Sequence, residues 1–216
     1  MRFRTCALSA LALALALSGC KRSGELVVDQ GVGITSVLSA CPAVGIPDYT
    51  GDVTQFRSAG DASLGNLDFT ATITNLRANC NDTGERVYTE ASFDVRARRT
   101  DTRGARTVSL PYYVTVLRGG SSVVSKRVGT VTLAFADGEE RASARGTAGS
   151  FVNKAEATLP PDIRTQITRR RRAGDADAAI DPLTLPEVRA AINRSRFEML
   201  VGFQLTEAQL AYNATR

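Results

Sequence analysis

The chain of 216 residues contains no histidine and no tryptophan, and these absences remove more chemistry than any motif adds. Without an imidazole, neither Ser-His-Asp nor Cys-His catalysis can be assembled, and no histidine can hold a metal. Aromatic residues make up 6% of the chain, which leaves little for base or sugar stacking. Nucleic-acid binding therefore has little support beyond a single arginine run, and no nucleic-acid partner is expected. The N-terminal apolar segment, Cys6 to Leu17, is broken only by Ser9. As a helix it would extend roughly 18 Å, too short for a hydrocarbon core of about 30 Å. The formal charge of +5 includes Arg2 and Arg4, so a chain that loses its leader is only mildly basic.

What is present begins with that leader. Arg2 and Arg4, the apolar segment and the small residues after it read as a secretory signal peptide over residues 1–19. Leu17-Ser18-Gly19-Cys20 resembles the lipobox of bacterial lipoproteins, in which small residues precede a cysteine that takes a thioether-linked lipid and becomes the mature N-terminus. The resemblance implies lipidation at Cys20, with several acyl chains giving stable anchoring where one is marginal. It also implies a cell-envelope location facing the periplasm. Lys21 in place of aspartate favours the outer membrane by lipoprotein-sorting rules.

Cys6 leaves with the leader and Cys20 is consumed by lipid, so Cys41 and Cys80 remain of the four cysteines. In an oxidising compartment a disulfide is expected; its loop of about 40 residues would be worth roughly 4 kcal/mol in the chain-entropy model. Two unrelated buried thiols are the alternative. A metal site is disfavoured, because a cysteine pair without histidine is half a zinc site.

Residues 20–39 read as lipid anchor and flexible lead, and the folded domain is expected over 40–216. Its signature is period-2 alternation. Leu67, Phe69, Ala71 and Ile73 share one strand face. Val87, Ala91, Phe93, Val95 and Ala97 share another, and RANCNDTG between them supplies turn residues, with Asn75 to Ala78 slipping the register as a bulge would. Val108, Leu110, Tyr112, Val114 and Val116 alternate before a Gly-Gly-Ser-Ser turn; Pro111 places its strand at an edge there or at a bulge. Val131, Leu133 and Phe135 form the return. Asp137-Gly138 then turns the chain into ERASARGTAGSFV, the weakest of the strands. Phe197, Met199, Val201, Phe203 and Leu205 make the last strand face. Thr206 with Gln209 fits a capping box for a short terminal helix.

About seven strands without a βαβ rhythm predict an all-β fold, a single antiparallel β-sandwich of immunoglobulin-like or transthyretin-like shape, with a short C-terminal helix and a charged insertion at 160–196. The insertion's first part, Pro160 to Pro182, reads as a mobile loop. Its second, LPEVRAAINRSR, suits a short helix with Pro186 in the first turn, burying Leu185, Val188, Ala191 and Ile192.

The pattern LPYYVTVLRG, the Lys-Arg-Val return strand, Cys41-Pro42 and above all RFEMLVGFQLTEAQLAYN resemble an uncharacterised family of alphaproteobacterial envelope lipoproteins. The likeness covers most of residues 40 to 213. It implies envelope location and fold but no activity, and the arginine-and-aspartate insertion departs from it in length. Val201 to Leu205 read as core strand packing.

Smaller signals carry less. Asp175, Asp177 and Asp181 resemble the start of a calcium loop but lack its turn glycine and terminal glutamate, and read as a solvated patch balancing Arg169 to Arg172. Asn81-Asp-Thr83, Asn193-Arg-Ser195 and Asn213-Ala-Thr215 match glycosylation acceptors, a signal weakened by the bacterial lipobox. Asp137, Glu139 and Glu140 read as hairpin-turn charges. Arg164, Arg169, Arg170, Arg171 and Arg172 form a basic cluster expected on an exposed segment, with contact to an anionic surface as one use. The composite expectation is a non-enzymatic structural or protein-binding module with an envelope protein partner, a membrane contact through its lipid and no cofactor. A binding protein for a small or polymeric envelope ligand, such as peptidoglycan or a metal ion, is the second expectation. Because acylation needs the thiol, Cys20→Ser is expected to abolish fatty-acid labelling of the chain; labelling that persists would remove the tether.

Overall fold

The computed structural model describes residues 39–172 and 174–216; Cys20, the leader and the lead up to Leu38 lie outside them. The described part of Arg169–Ala179 clusters apart from the remainder and is treated by itself below. The main unit carries eight strands: β1 (Ala43–Gly45), β2 (Asp52–Phe56), β3 (Leu67–Asn81), β4 (Arg86–Arg99), β5 (Arg106–Arg118), β6 (Ser122–Phe135), β7 (Arg141–Asn153) and β8 (Phe197–Phe203). They form two four-stranded sheets, β1-β8-β5-β6 and β2-β3-β4-β7. Three helices, α1 (Pro161–Thr168), α2 (Pro186–Ser195) and α3 (Glu207–Thr215), complete the unit. The fold is sandwich-like and mostly β.

Alternation decides which face each strand buries. Val87, Ala91, Phe93, Val95 and Ala97 of β4 face Val108, Leu110, Tyr112 and Val114 of β5 and Met199, Val201 and Phe203 of β8, and nearly all of these join one buried cluster. At its centre the rings of Phe93 and Tyr112 meet edge to face, 5.1 Å between centroids. Each ring lies across a glycine of the neighbouring strand. A Cβ added at Gly146 would come within 2.3 Å of Phe93, and one at Gly129 within 2.5 Å of Tyr112. The Tyr112 hydroxyl then donates to the Thr147 carbonyl at 2.7 Å, joining the two sheets. A smaller cluster of Val87, Val116, Val152, Ala157 and Phe197 packs against Cys41 and Cys80, which are disulfide-bonded with Cα atoms 6.1 Å apart.

One residue on the inward face of β4 is charged. Arg99 is 1% exposed. Its Nε donates to the Glu139 carbonyl at 2.8 Å, one terminal nitrogen to Gly104 at 2.9 Å, and the other to Thr102 and Ala136 at 2.8 Å each. The guanidinium also lies 5.2 Å from the Phe135 ring centroid. Turn groups close around it: Gly104 N–H donates to Asp137 Oδ1 at 2.6 Å, and Gly138 N–H to the Thr102 carbonyl at 2.9 Å. The β4–β5 and β6–β7 turns are thereby joined through one side chain.

The expected bulge occurs: between Thr74 and Arg77 the β3 register shifts against β4, and Asn75 takes a positive φ of 53°. Two residues, Asn75 and Leu76, stand opposite Phe93, so the inward series changes from odd to even numbers and brings Leu76 and Cys80 inside. The turn is shorter than expected, because Arg77 to Asn81 continue β3. The antiparallel expectation fails at one edge, where β1 pairs with β8 in parallel; a chain entering beside its own last strand needs no hairpin there. Pro111 sits in β5, a central strand, at the point where β8 has run out; its carbonyl accepts from Gln204 N–H at 2.9 Å, so its missing N–H deprives no β8 partner. The first part of the insertion is not wholly a mobile loop, since Pro161 to Thr168 form α1 and bury Ile167. α2 takes the expected span with Pro186 in its first turn and buries Val188 and Ala191. The Thr206–Gln209 capping box is complete, with bonds of 3.3 and 2.9 Å.

Replacing Arg99 with methionine is expected to cost about 3 kcal/mol, because four turn carbonyls lose a charged donor held by a buried side chain. Phe203→Ala is expected to cost roughly 3 to 5 kcal/mol through the cavity it leaves. Urea unfolding of each variant measures both; a near-zero change at Phe203 would make that face a surface instead of core.

Candidate binding surface

Four edge strands bound the two sheets, and an edge exposes unpaired N–H and C=O groups to which another strand can bond. Two of them are short or covered. β1 has three residues. β2 is lined by α3: Asn213 Nδ2 donates to the Tyr49 and Asp52 carbonyls at 2.8 Å, Gln209 Nε2 to Gln55 Oε1 at 3.0 Å, and Arg216 ion-pairs with Asp52. Tyr212 packs edge to face on Phe56 at 5.2 Å. On β7 the Thr147 carbonyl is taken by Tyr112.

β6 differs. Its pairing with β5 runs from Ser122 to Phe135 with one register shift that skips Val124, and among the described residues none of its backbone groups bonds outside that ladder. Its second half, Val131, Leu133 and Phe135, points into the core. Its first half does not: Val123 is 65% exposed, Val124 53% and Val128 60%. Lys126 and Arg127 lie between these valines on opposite faces, and neither has a carboxylate partner among the described residues. Lys126 Nζ instead rests 5.3 Å from the Tyr113 ring centroid. No carboxylate occurs between Arg118 and Phe135 in the sequence.

A second feature is a groove of about 530 Å³ between the end of β2, the following loop and α3, with Phe56, Arg57, Ala59, Tyr212 and Gln209 in its lining. Its polar groups are engaged with one another. Gln55 accepts from Gln209, and Arg57 donates to the Gly65 carbonyl at 3.0 Å and to Thr100 Oγ1 at 2.6 Å. Beside it Arg106 grips Asp68 with two bonds of 2.6 and 2.7 Å. These bonds hold the Asp68 carboxyl below the usual carboxylate range.

The other sequence-picked residues scatter. Arg164 is half-buried on α1, in the main unit. In the separate segment Arg169, Arg170 and Arg172 are exposed, whereas Arg171 is buried; Arg169 and Arg171 both ion-pair with Asp177. The expectation of an exposed run is thus corrected at Arg171, where carboxylate pairing accompanies withdrawal from solvent. Asp175 accepts from Arg172 N–H at 3.0 Å, and Asp181 caps Leu183 N–H at 2.9 Å. Among the described residues no group of three or more metal-ligating side chains comes together. Asp137 and Glu140 are held by Gly104 N–H and Arg98, the latter at 2.6 Å. Asn213 is buried under Tyr49 and Asp52 carbonyls, so its triplet presents no accessible acceptor. No family model, curated protein or solved structure matches the chain.

The edge valines escape sequence reading for a physical reason. Val123 and Val124 are adjacent and β6 slips its register there, Ser125 pairing with Val116 and Val123 with Leu117, so they build no period-2 stripe and resemble neither core nor loop. The signal that finds them is an apolar pair at a strand end with no neighbour to cover it.

Because the folded Asp68 carboxyl titrates below its unfolded counterpart, the stability of its pair with Arg106 is fully present above the unfolded value near pH 4 and is lost as pH falls through the lower folded value. Asp68→Asn is expected to flatten that acid-side decline. Urea midpoints measured from about pH 5 down to about pH 2 check it.

Proposed function

We propose that this protein is a lipid-anchored, non-catalytic structural or protein-binding module of the Gram-negative cell envelope. It is tethered through Cys20, faces the periplasm, and by the identity of Lys21 belongs to the outer membrane and to the alphaproteobacterial lipoprotein family that its C-terminal segment resembles. The observation that carries the binding part is the open β6 edge, whose first half exposes Val123, Val124 and Val128 beside Lys126 and Arg127. A filled interior supports the same reading, because the space between the sheets is occupied by side chains and offers no enclosed ligand chamber at their centre. The two four-stranded sheets suit either sandwich type, immunoglobulin-like or transthyretin-like.

The alternative, a binding protein for a small or polymeric envelope ligand, draws on the groove beside α3. Its satisfied polar groups leave few donors or acceptors turned toward a ligand, which ranks it second.

A photoreactive amino acid placed at Val124 or Val128 in the envelope-located protein is expected to give discrete protein adducts. The same group at Thr72, exposed on the outer face of β3, is expected to give none. Equal patterns at all three positions, or no adduct from β6, would remove the binding-module reading.

A further inference from the structure

We infer that the occupant of β6 is an extended, acidic segment of a partner protein, which adds beside β6 as the next strand of the β1-β8-β5-β6 sheet. The inference rests on β6 being the docking edge and goes on to name the chemistry of what docks. Main-chain bonding supplies the attachment: β6 has a neighbour on one side only, so half of its N–H and C=O groups face outward, and none of them is taken up by a turn, cap or side chain among the described residues. Apolar contact supplies the second element, since Val124 and Val128 are exposed, with Val123 beside them. A strand laid alongside would cover these side chains with its own alternate residues.

Charge selects the occupant. Lys126 and Arg127 stand side by side on the open stretch and point to opposite faces, so an arriving strand meets a cation whichever face it presents. With no carboxylate partner near either and none in the strand, the edge repels basic strands and favours one with aspartate or glutamate at the facing positions. The same charges disfavour a second copy of this chain. In an antiparallel two-fold pairing that apposes Val124 with Val128, Lys126 falls directly opposite Lys126 of the second copy, the like-charge arrangement that destabilises a strand pair. In that register the edge disfavours its own kind and favours an acidic strand.

The test uses the isotope-labelled full chain in detergent with a short capped peptide alternating valine, threonine and glutamate. A matched peptide carries lysine in place of glutamate. Amide exchange and shift changes are read residue by residue. The acidic peptide is expected to protect outward-facing amides between Ser122 and Thr130 and to bind about tenfold or more tightly than the basic one at low salt, the ratio shrinking as ionic strength rises. Lys126→Glu with Arg127→Glu, at two exposed positions, is expected to reverse the preference. Equal protection of β6 by both peptides would overturn the acidic assignment while leaving the strand-docking edge and the module reading in place. Protection at β6 by neither peptide would overturn the inference outright, and crosslinking at Val124 would then decide separately on the module reading. A peptide-free chain that sediments as a dimer and becomes monomeric on Val124→Lys would make the second copy the occupant and overturn the inference as well.

Discussion

A buried guanidinium organises one end of this sandwich. Four turn carbonyls converge on Arg99 at 2.8 to 2.9 Å, and each would lose this charged donor if the side chain were removed. Desolvating a cation is costly, so the arrangement persists only because the carbonyl dipoles replace the lost water and the Phe135 ring faces the charge. The two turns it joins connect strands of different sheets, β4 to β5 and β6 to β7. Arg99 therefore ties the sheets at this end, together with the Arg106–Asp68 pair between β5 and β3. At the other end the Cys41–Cys80 bond does the corresponding job covalently.

The flank between β6 and β7 shows how close packing and edge protection are linked. Phe93 and Tyr112 reach their positions because Gly146 and Gly129 offer no side chain, and Tyr112 then spends its hydroxyl on the Thr147 carbonyl. The glycines that would otherwise weaken two edge strands admit aromatic rings that bind the sheets together. Protection ends where Tyr112 ends. Beyond Gly129, toward Ser122, β6 is paired on its β5 side alone, and the exposed valines occur there.

Much of this was legible in the chain because most strands have one wet face. Alternation identified the inward residues of β4, β5 and β8, and local chemistry identified the Thr206 cap, the Asn75 bulge and the cysteine pair. What escaped is what alternation cannot express. β1 and β2 have three and five residues, too few to show a period, and the parallel pairing of β1 with β8 is a long-range choice without a local marker. α1 was hidden by charge in a segment with little apolar content. Arg99 continues the odd-numbered inward series of β4 beyond Ala97, yet an arginine in that place reads as the end of a buried face. Only the carbonyls brought to it by two distant turns show otherwise.

The Cys41–Cys80 bond has a mechanical consequence. β1, just after Cys41, is held to β8 by a three-residue pairing, a contact that a modest pull could peel away. A force arriving from the N-terminal side meets Cys41 first, and there the covalent bond diverts it into β3, a fifteen-residue strand of the opposite sheet that is paired along its length with β4. β1 is left slack. The domain is thus a body gripped at its interior by a side branch of its own chain, and its weakest strand carries none of the load until the bond is reduced.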